Sequence, residues 1–317
     1  MSNLRSSRVH INRPLTTMSV AYIQDEKYFI SDKVFPTLPV NNESDTYFQY
    51  NKGDFFRNVA KERAHGTESA GGGFDLDNEG TYNCKRISWH DDIDEKTRES
   101  ADAPLNIERD STEYVTQVLM IKHERDWFDK YYKINIWGRD PVPGTKWDAD
   151  NSDPVGDIDD EKEYIFSQTA LMPNTLILSP DVAKVLRNHP DIIDRIKHVQ
   201  KGFVTEDMLA GIFGVTNVFV ARAIENTAKK GQTDVFSYMA ATKSALLVYA
   251  NPRPSLKKPS GGYTFRWKRF SGAGRFGNYM KKFWIEKIES DRIEGNMHYD
   301  QKLIAPDCGS FFKTVLT

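Results

Sequence analysis

Between Asp45 and Asp92 the chain is patterned like a hairpin at both ends but carries almost nothing with which to build a core of its own. It opens on Tyr47-Phe48-Gln49-Tyr50 and closes on Thr81-Tyr82-Asn83-Cys84-Lys85-Arg86-Ile87-Ser88-Trp89, both alternating in the period of two that marks strands. Between these ends lie Phe55-Phe56-Arg57, Lys61-Glu62-Arg63 and the triple glycine Gly71-Gly72-Gly73. The pattern predicts a long two-stranded arm with a charged, glycine-rich tip. A lone hairpin is marginally stable at best in water, so another surface has to support it. Lys52, Arg57, Lys61 and Arg63 give the arm a basic side, and Phe55 and Phe56 would anchor it, because exposed apolar patches mark interaction sites.

The rest of the chain is large enough to offer such a surface. Its 317 residues suffice for about two domains with a well-buried core. Lys and Arg number 43 against 45 Asp and Glu, a net charge of -2, which excludes a surface given over wholly to gripping nucleic acid. Cys84 and Cys308 have no metal or redox spacing; a reduced intracellular setting is expected, with a single disulfide left open. The first 30 residues contain Arg5, Arg8 and Arg13 but no apolar run of the secretory kind, and nowhere do about 18 apolar residues follow one another, so a soluble protein is expected.

Residues 1–44 read as an extended arm, since Pro14, Pro36 and Pro39 oppose helix. The clearest helix is predicted from Asp110 to about Tyr132, with Asp110 and Glu113 as a capping box and a stripe of Tyr114, Val118, Ile121, Phe128 and Tyr132, widened by Val115 and Leu119 and interrupted by Arg125. After a turn-rich loop over Trp137–Pro154, helices are expected at Asp157–Thr169, Asp181–Asn188, Asp191–Gln200 and Glu206–Phe213. Strands are expected at Thr175–Ser179, Asn217–Ala223, Ser244–Ala250, Tyr263–Trp267, Lys281–Glu289, Arg292–Leu303 and Ser310–Leu316. The class is α+β.

Motifs with chemical meaning are few. Gly272-Ala273-Gly274-Arg275-Phe276-Gly277 matches a dinucleotide-binding fingerprint, but a strand rather than a helix is expected after it, and too little chain remains for a doubly wound sheet. His90-Asp91-Asp92 with Asp94 and Glu95 offers hard oxygen ligands, though a solvated hinge is the plainer reading. His123, His189 and His198 have no neighbouring nucleophile. Gly71-Gly72-Gly73 lacks the Lys-Ser/Thr and helix of a phosphate loop. No catalytic residue, cofactor or metal is therefore assigned.

The order of parts (extended arm, long hairpin, spine helix, compact α+β unit, long strands) resembles the major capsid protein of tailed bacteriophages, with the Hong Kong 97 fold. Residues 33–40 (KVFPTLPV), 53–57 (GDFFR), 62–73 (ERAHGTESAGGG), 103–127 (APLNIERDSTEYVTQVLMIKHERDW), 173–179 (PNTLILS) and 188–199 (NHPDIIDRIKHV) carry the likeness through their common order. The resemblance implies an N-arm at 1–44, an E-loop at 45–92 and a P-domain at 93–154 with its spine helix at 110–132. It further implies an A-domain at 155–258, P-domain strands at 259–303, and a C-terminal segment at 304–317 returning to the A-domain.

It also implies a structural protein, not an enzyme, that assembles with itself into hexamers and pentamers of an icosahedral head enclosing double-stranded DNA. The implied setting is the virion, assembled in the host bacterial cytoplasm. Implied partners are a portal, a separate scaffolding protein, a decoration protein and packaged DNA held non-specifically on the inner face, with no membrane. The residues expected at assembly contacts are Phe35, Phe55, Phe56, Arg57, Lys61, Glu62, Arg63, Gly71, Gly72, Gly73 and Trp89. The alternatives are an encapsulin-type nanocompartment shell and, more distantly, a nucleotide-dependent enzyme built on the Gly272–Gly277 loop.

Overall fold

The computed structural model describes residues 23–99, 106–196, 204–255, 258–270 and 277–317, with backbone only at 77–79. The first half of the expected arm, His198 and all of the Gly272–Gly277 motif except Gly277 lie outside the described residues.

Thirteen strands are described: β1 (Thr37–Val40), β2 (Ser44–Tyr50), β3 (Leu76–Asn83), β4 (Lys85–Asp94), β5 (Thr175–Leu178), β6 (Asn217–Val220), β7 (Ile224–Asn226), β8 (Phe236–Tyr238), β9 (Ala245–Val248), β10 (Gly262–Trp267), β11 (Tyr279–Ile285), β12 (Ser290–Leu303) and β13 (Gly309–Phe312). They form two main sheets and two hairpins. The first sheet is built around β12. β4 runs antiparallel along one edge of it, while β11 and then β10 lie end to end along the other. β1 adds in parallel outside β10. Pro39 is accommodated because β1 is an edge strand, where a missing N–H breaks no ladder bond. The second sheet has the order β13-β9-β5-β6, and every residue of β5, β9 and β13 is buried. Helices Pro154–Thr169, Pro180–Arg187 and Glu206–Ile212 close a core around it, including Trp147, Ile158, Leu176, Phe213, Leu247 and Phe312.

The long helix spans Ile107–Tyr131, 25 residues or about 37 Å. It starts a turn before the expected Asp110. Its cap is Asn106, whose side chain accepts from Arg109 N at 3.1 Å, and Asp110 and Glu113 form no capping box. The buried face keeps Val115, Leu119 and Phe128 of the expected stripe but is turned away from Tyr114. It runs through Ser111, Val115, Leu119, Met120, His123, Glu124, Trp127, Phe128 and Tyr131, while Tyr114 is 49% exposed. This face packs on β4 and β12, where Gly295 leaves room for Val115 and Leu119.

Parts of two expected arms belong to the body. Phe29, Ile30, Val34, Phe35, Leu38 and Val40 are all buried, so the chain from about Phe29 to Val40 is core rather than an extended arm. The partner of β2 is β3; β4 turns away from the hairpin into the first sheet. His90-Asp91-Asp92 is accordingly ladder and not hinge. Arg292 holds Asp92 with two bonds of 2.6 and 2.8 Å, keeping that carboxyl below its usual range, and Ser111 donates to Asp91 at 2.7 Å.

Candidate assembly surfaces

The hairpin of β2 and β3 is fastened at its base by aromatic packing. Tyr82 stacks on Phe265 with centroids 4.6 Å apart, and Tyr47 stacks with the same ring at 5.5 Å. Tyr47 lies directly across from Gly80 in the ladder, and a Cβ there would meet its ring at 2.3 Å, so only glycine lets the ring lie flat across the partner strand. Gln49 donates to the Ile304 carbonyl at 3.2 Å, Asn83 N to Asp300 at 2.9 Å, and Lys52 is ion-paired with Asp307. The support that a two-stranded ribbon needs thus comes from its own subunit, but only as far as Lys52.

Beyond that point the loop has little cover. Asn51 caps a single helical turn, Lys52–Phe55, and residues 57–75 contain neither helix nor strand. Tyr50, Phe55 and Phe74 touch one another, with centroids 5.6–5.8 Å apart, and close the neck of the loop. Much of this neck and the residues beside it stays exposed: Phe55 is 60% exposed, Phe56 61% and Val59 60%. Arg57 lies 3.4 Å from Asp54, and Lys61, Glu62 and Arg63 are exposed. Cβ atoms added at Gly71, Gly72 and Gly73 would meet nothing, and no helix follows, so the triplet cradles no phosphate.

The remaining expected contact residues separate. Trp89 lies in β4, opposite Gly295, and stays 46% exposed. Phe35 is fully buried in its own subunit against Trp127, Tyr131 and Trp137, at 5.8, 4.8 and 6.2 Å. It is therefore a core residue and not an inter-subunit anchor. Residues outside the expected contact set, namely Tyr47, Tyr82, Gln49, Lys52 and Phe74, prove to shape the hairpin. Tyr47 and Tyr82 were visible as alternating aromatics, but their common partner Phe265 is about two hundred residues away in sequence.

His123 and His189 are buried and bonded to Ser31 and Ser152, and among the described residues no cluster of metal-ligating side chains occurs. After Gly277 the chain enters β11 rather than a helix, so the dinucleotide fingerprint lacks its helix. Cys84 and Cys308 are free thiols, and burial pushes both up to about 12. Among the described residues no helix is long and apolar enough to cross a membrane.

No family model matches the chain. The chain is 28% identical over 311 residues to the major capsid protein of Burkholderia phage BcepMu, covering 96% of this chain and 97% of that one. Its fold is shared with a phage-related protein of Bordetella bronchiseptica (TM-score 0.70, 20% identity, 92% and 94% of the two chains). The capsid of cyanophage P-SCSP1u matches at a TM-score of 0.62 with 9% identity, over 97% and 93%. An encapsulin from Synechococcus elongatus shares the fold at 0.53 and 10% identity, over 99% and 97%, so fold alone does not separate a phage head from a nanocompartment. The likeness in sequence, which runs along almost the whole of both chains, is to a phage major capsid protein, and the fold is the one that phage capsids of the Hong Kong 97 type share.

Proposed function

We propose that the subunit builds hexamers and pentamers of an icosahedral head around double-stranded DNA, with the β2–β3 hairpin as the E-loop that crosses a neighbouring subunit. The first sheet and the long helix then correspond to the P-domain, and the second sheet with its helices to the A-domain. The supporting observation is the division of the hairpin into a base bolted to its own subunit and a tip of uncovered phenylalanines. Burying a Phe side chain fully is worth about 1.5–3 kcal/mol. Covering what Phe55, Phe56 and Phe74 still expose thus contributes roughly 3–5 kcal/mol per hairpin. Ion pairs made by Arg57, Lys61, Glu62 or Arg63 add about 0–1 kcal/mol each. Contacts this weak let misplaced subunits leave before the shell closes, and repetition around the shell makes the total large.

The subunit's role is structural rather than catalytic. A portal, a separate scaffolding protein and a decoration protein are the further partners this reading brings. The near balance of charge suits an inner face that encloses DNA without holding it tightly. Tyr50 and Leu76 are paired in the ladder, so residues 51–75 can be replaced by Asn-Gly, a turn suited to two-residue hairpins. The expected product is a folded subunit that forms no shells by electron microscopy, with or without a co-expressed scaffold. Closed shells from this variant would refute the E-loop assignment.

A further inference from the structure

The chain from Phe29 to Phe35 forms a strap against the long helix, and its fastening is polar. Ile30 N donates to one oxygen of Glu124 at 2.8 Å and Ser31 N to the other at 3.0 Å. These amides begin the single turn Ser31–Val34, so the long helix supplies the cap that the strap lacks. The Ser31 hydroxyl also bonds to the carboxylate and lies 3.0 Å from His123 Nδ1. Behind His123 stands Gln301 of β12, whose Nε2 donates to the His123 carbonyl at 3.1 Å while its buried Oε1 has no hydrogen-bond partner among the described residues. On either side the strap is held by apolar burial of Phe29, Ile30, Val34 and Phe35.

Glu124 is fully buried, and among the described residues no lysine or arginine bonds to it. The charged group facing it from the strap is Asp32, of the same sign. On its own helix His123 is its neighbour through Ser31, and Arg125 is occupied with Glu225 of β7 and Asp129. From β12 the neutral Gln301 comes within 3.4 Å of His123 Nε2, and Tyr299 packs on the His123 ring with centroids 4.5 Å apart. A buried carboxylate with donors but no counter-charge is costly when ionised.

We propose that Glu124 is a protonation-gated lock on the strap, which is clasped to the long helix when the carboxyl is neutral and loosens when it ionises. In the neutral form one oxygen still accepts an amide while the O–H can donate to Ser31 Oγ, and no charge remains buried. Burial lifts this carboxyl from 4.5 to about 7, against two amide bonds and a hydroxyl that pull it down. A carboxyl raised in the clasped state contributes hold that is complete below its free value and is lost as pH rises through its clasped value. Between about pH 5 and 7 the hold should weaken about tenfold per unit.

Hydrogen exchange of the full-length chain, read at the amides of residues 30–35 and corrected for intrinsic rates, tests this. In the wild type, protection of the strap is expected to fall about tenfold per pH unit over that window. The amides of Leu176–Leu178 in β5 should show no such slope. In Glu124→Gln the strap slope is expected to vanish. A flat wild-type profile, an unchanged slope in Glu124→Gln, or the same slope in β5 would each overturn the proposal. Should that variant fail to fold, carbon-13 NMR of the wild-type carboxyl decides: a midpoint near 7 supports the lock and one below 5 sinks it.

Discussion

Gly295 is the point at which the long helix rests on the first sheet. A methyl group placed on it would stand 2.6 Å from Val115 Cγ1, 2.7 Å from Leu119 Cδ1 and 3.0 Å from Met280 Sδ. Val115 and Leu119 are buried to within 1%, so neither can swing into solvent, and Gly295→Ala must lift the helix or force rotamers. Overpacking of this kind costs about 1–3 kcal/mol. Removing a glycine from a strand returns roughly 0.5–1 kcal/mol, leaving a net loss of about 1–2 kcal/mol. Val115→Ala alone removes two buried carbon groups, about 1.6 kcal/mol before any cavity cost and about 2 with it. In the double variant the alanine at 295 occupies the space vacated at 115. The pair should therefore be about 1–2 kcal/mol more stable than the sum of the singles implies. Urea unfolding followed by tryptophan fluorescence measures all four corners of the cycle, with an unchanged denaturant slope as the check that only stability moved. Additivity within about 0.5 kcal/mol would show that Gly295 is not a steric contact and that the account of helix-on-sheet packing is wrong.

Phe35→Ala should destabilise the subunit by about 3–5 kcal/mol, whereas Phe56→Ala should leave the unfolding midpoint unchanged and reduce shell yield in an assembly assay. Cys84 and Cys308 should resist iodoacetamide in the native subunit and both react once it is unfolded; rapid native labelling of either would contradict their burial. Asp92 has its carboxyl lowered, chiefly by the Arg292 bond. Its contribution to stability, of about 1 kcal/mol or less at this partly exposed pair, should therefore be present above pH 4 and disappear on further acidification. Comparing Asp92→Asn with wild type by urea unfolding at pH 7 and pH 3 tests the sign, and a gap that widens in acid would refute it.

The architecture was legible where apolar residues come in runs. TLIL, ALLV and the alternating Tyr263–Trp267 all became strands within a residue or two of expectation. It was obscured where polar residues are buried. Ser111, His123 and Glu124 occupy the inner face of the long helix, so the apolar stripe read from sequence was rotated toward the exposed Tyr114. Phe35 sits among prolines that suggested an arm, yet its ring fills a hole between Trp127 and Trp137 that only the folded chain reveals. The hairpin tip was read better than its ends. Phe55 and Phe56 stay about 60% exposed, as an arm with no core of its own implies, while β4 is drawn away by β12, a strand some two hundred residues further along.

That distance sets a schedule for synthesis. Chains leave the ribosome at about 5–20 residues per second, so β4 waits on the order of 10–40 s for β12 to appear. Meanwhile β1 waits slightly longer for β10. Until then the Ile87–Ile93 edge and the aromatic base of the hairpin have nothing to pair with, and contacts this distant in sequence close slowly. A cell making many copies at once would hold a standing population of such half-finished subunits, each with an open edge next to another's. The central strand that makes the finished subunit rigid also leaves the nascent one in need of isolation.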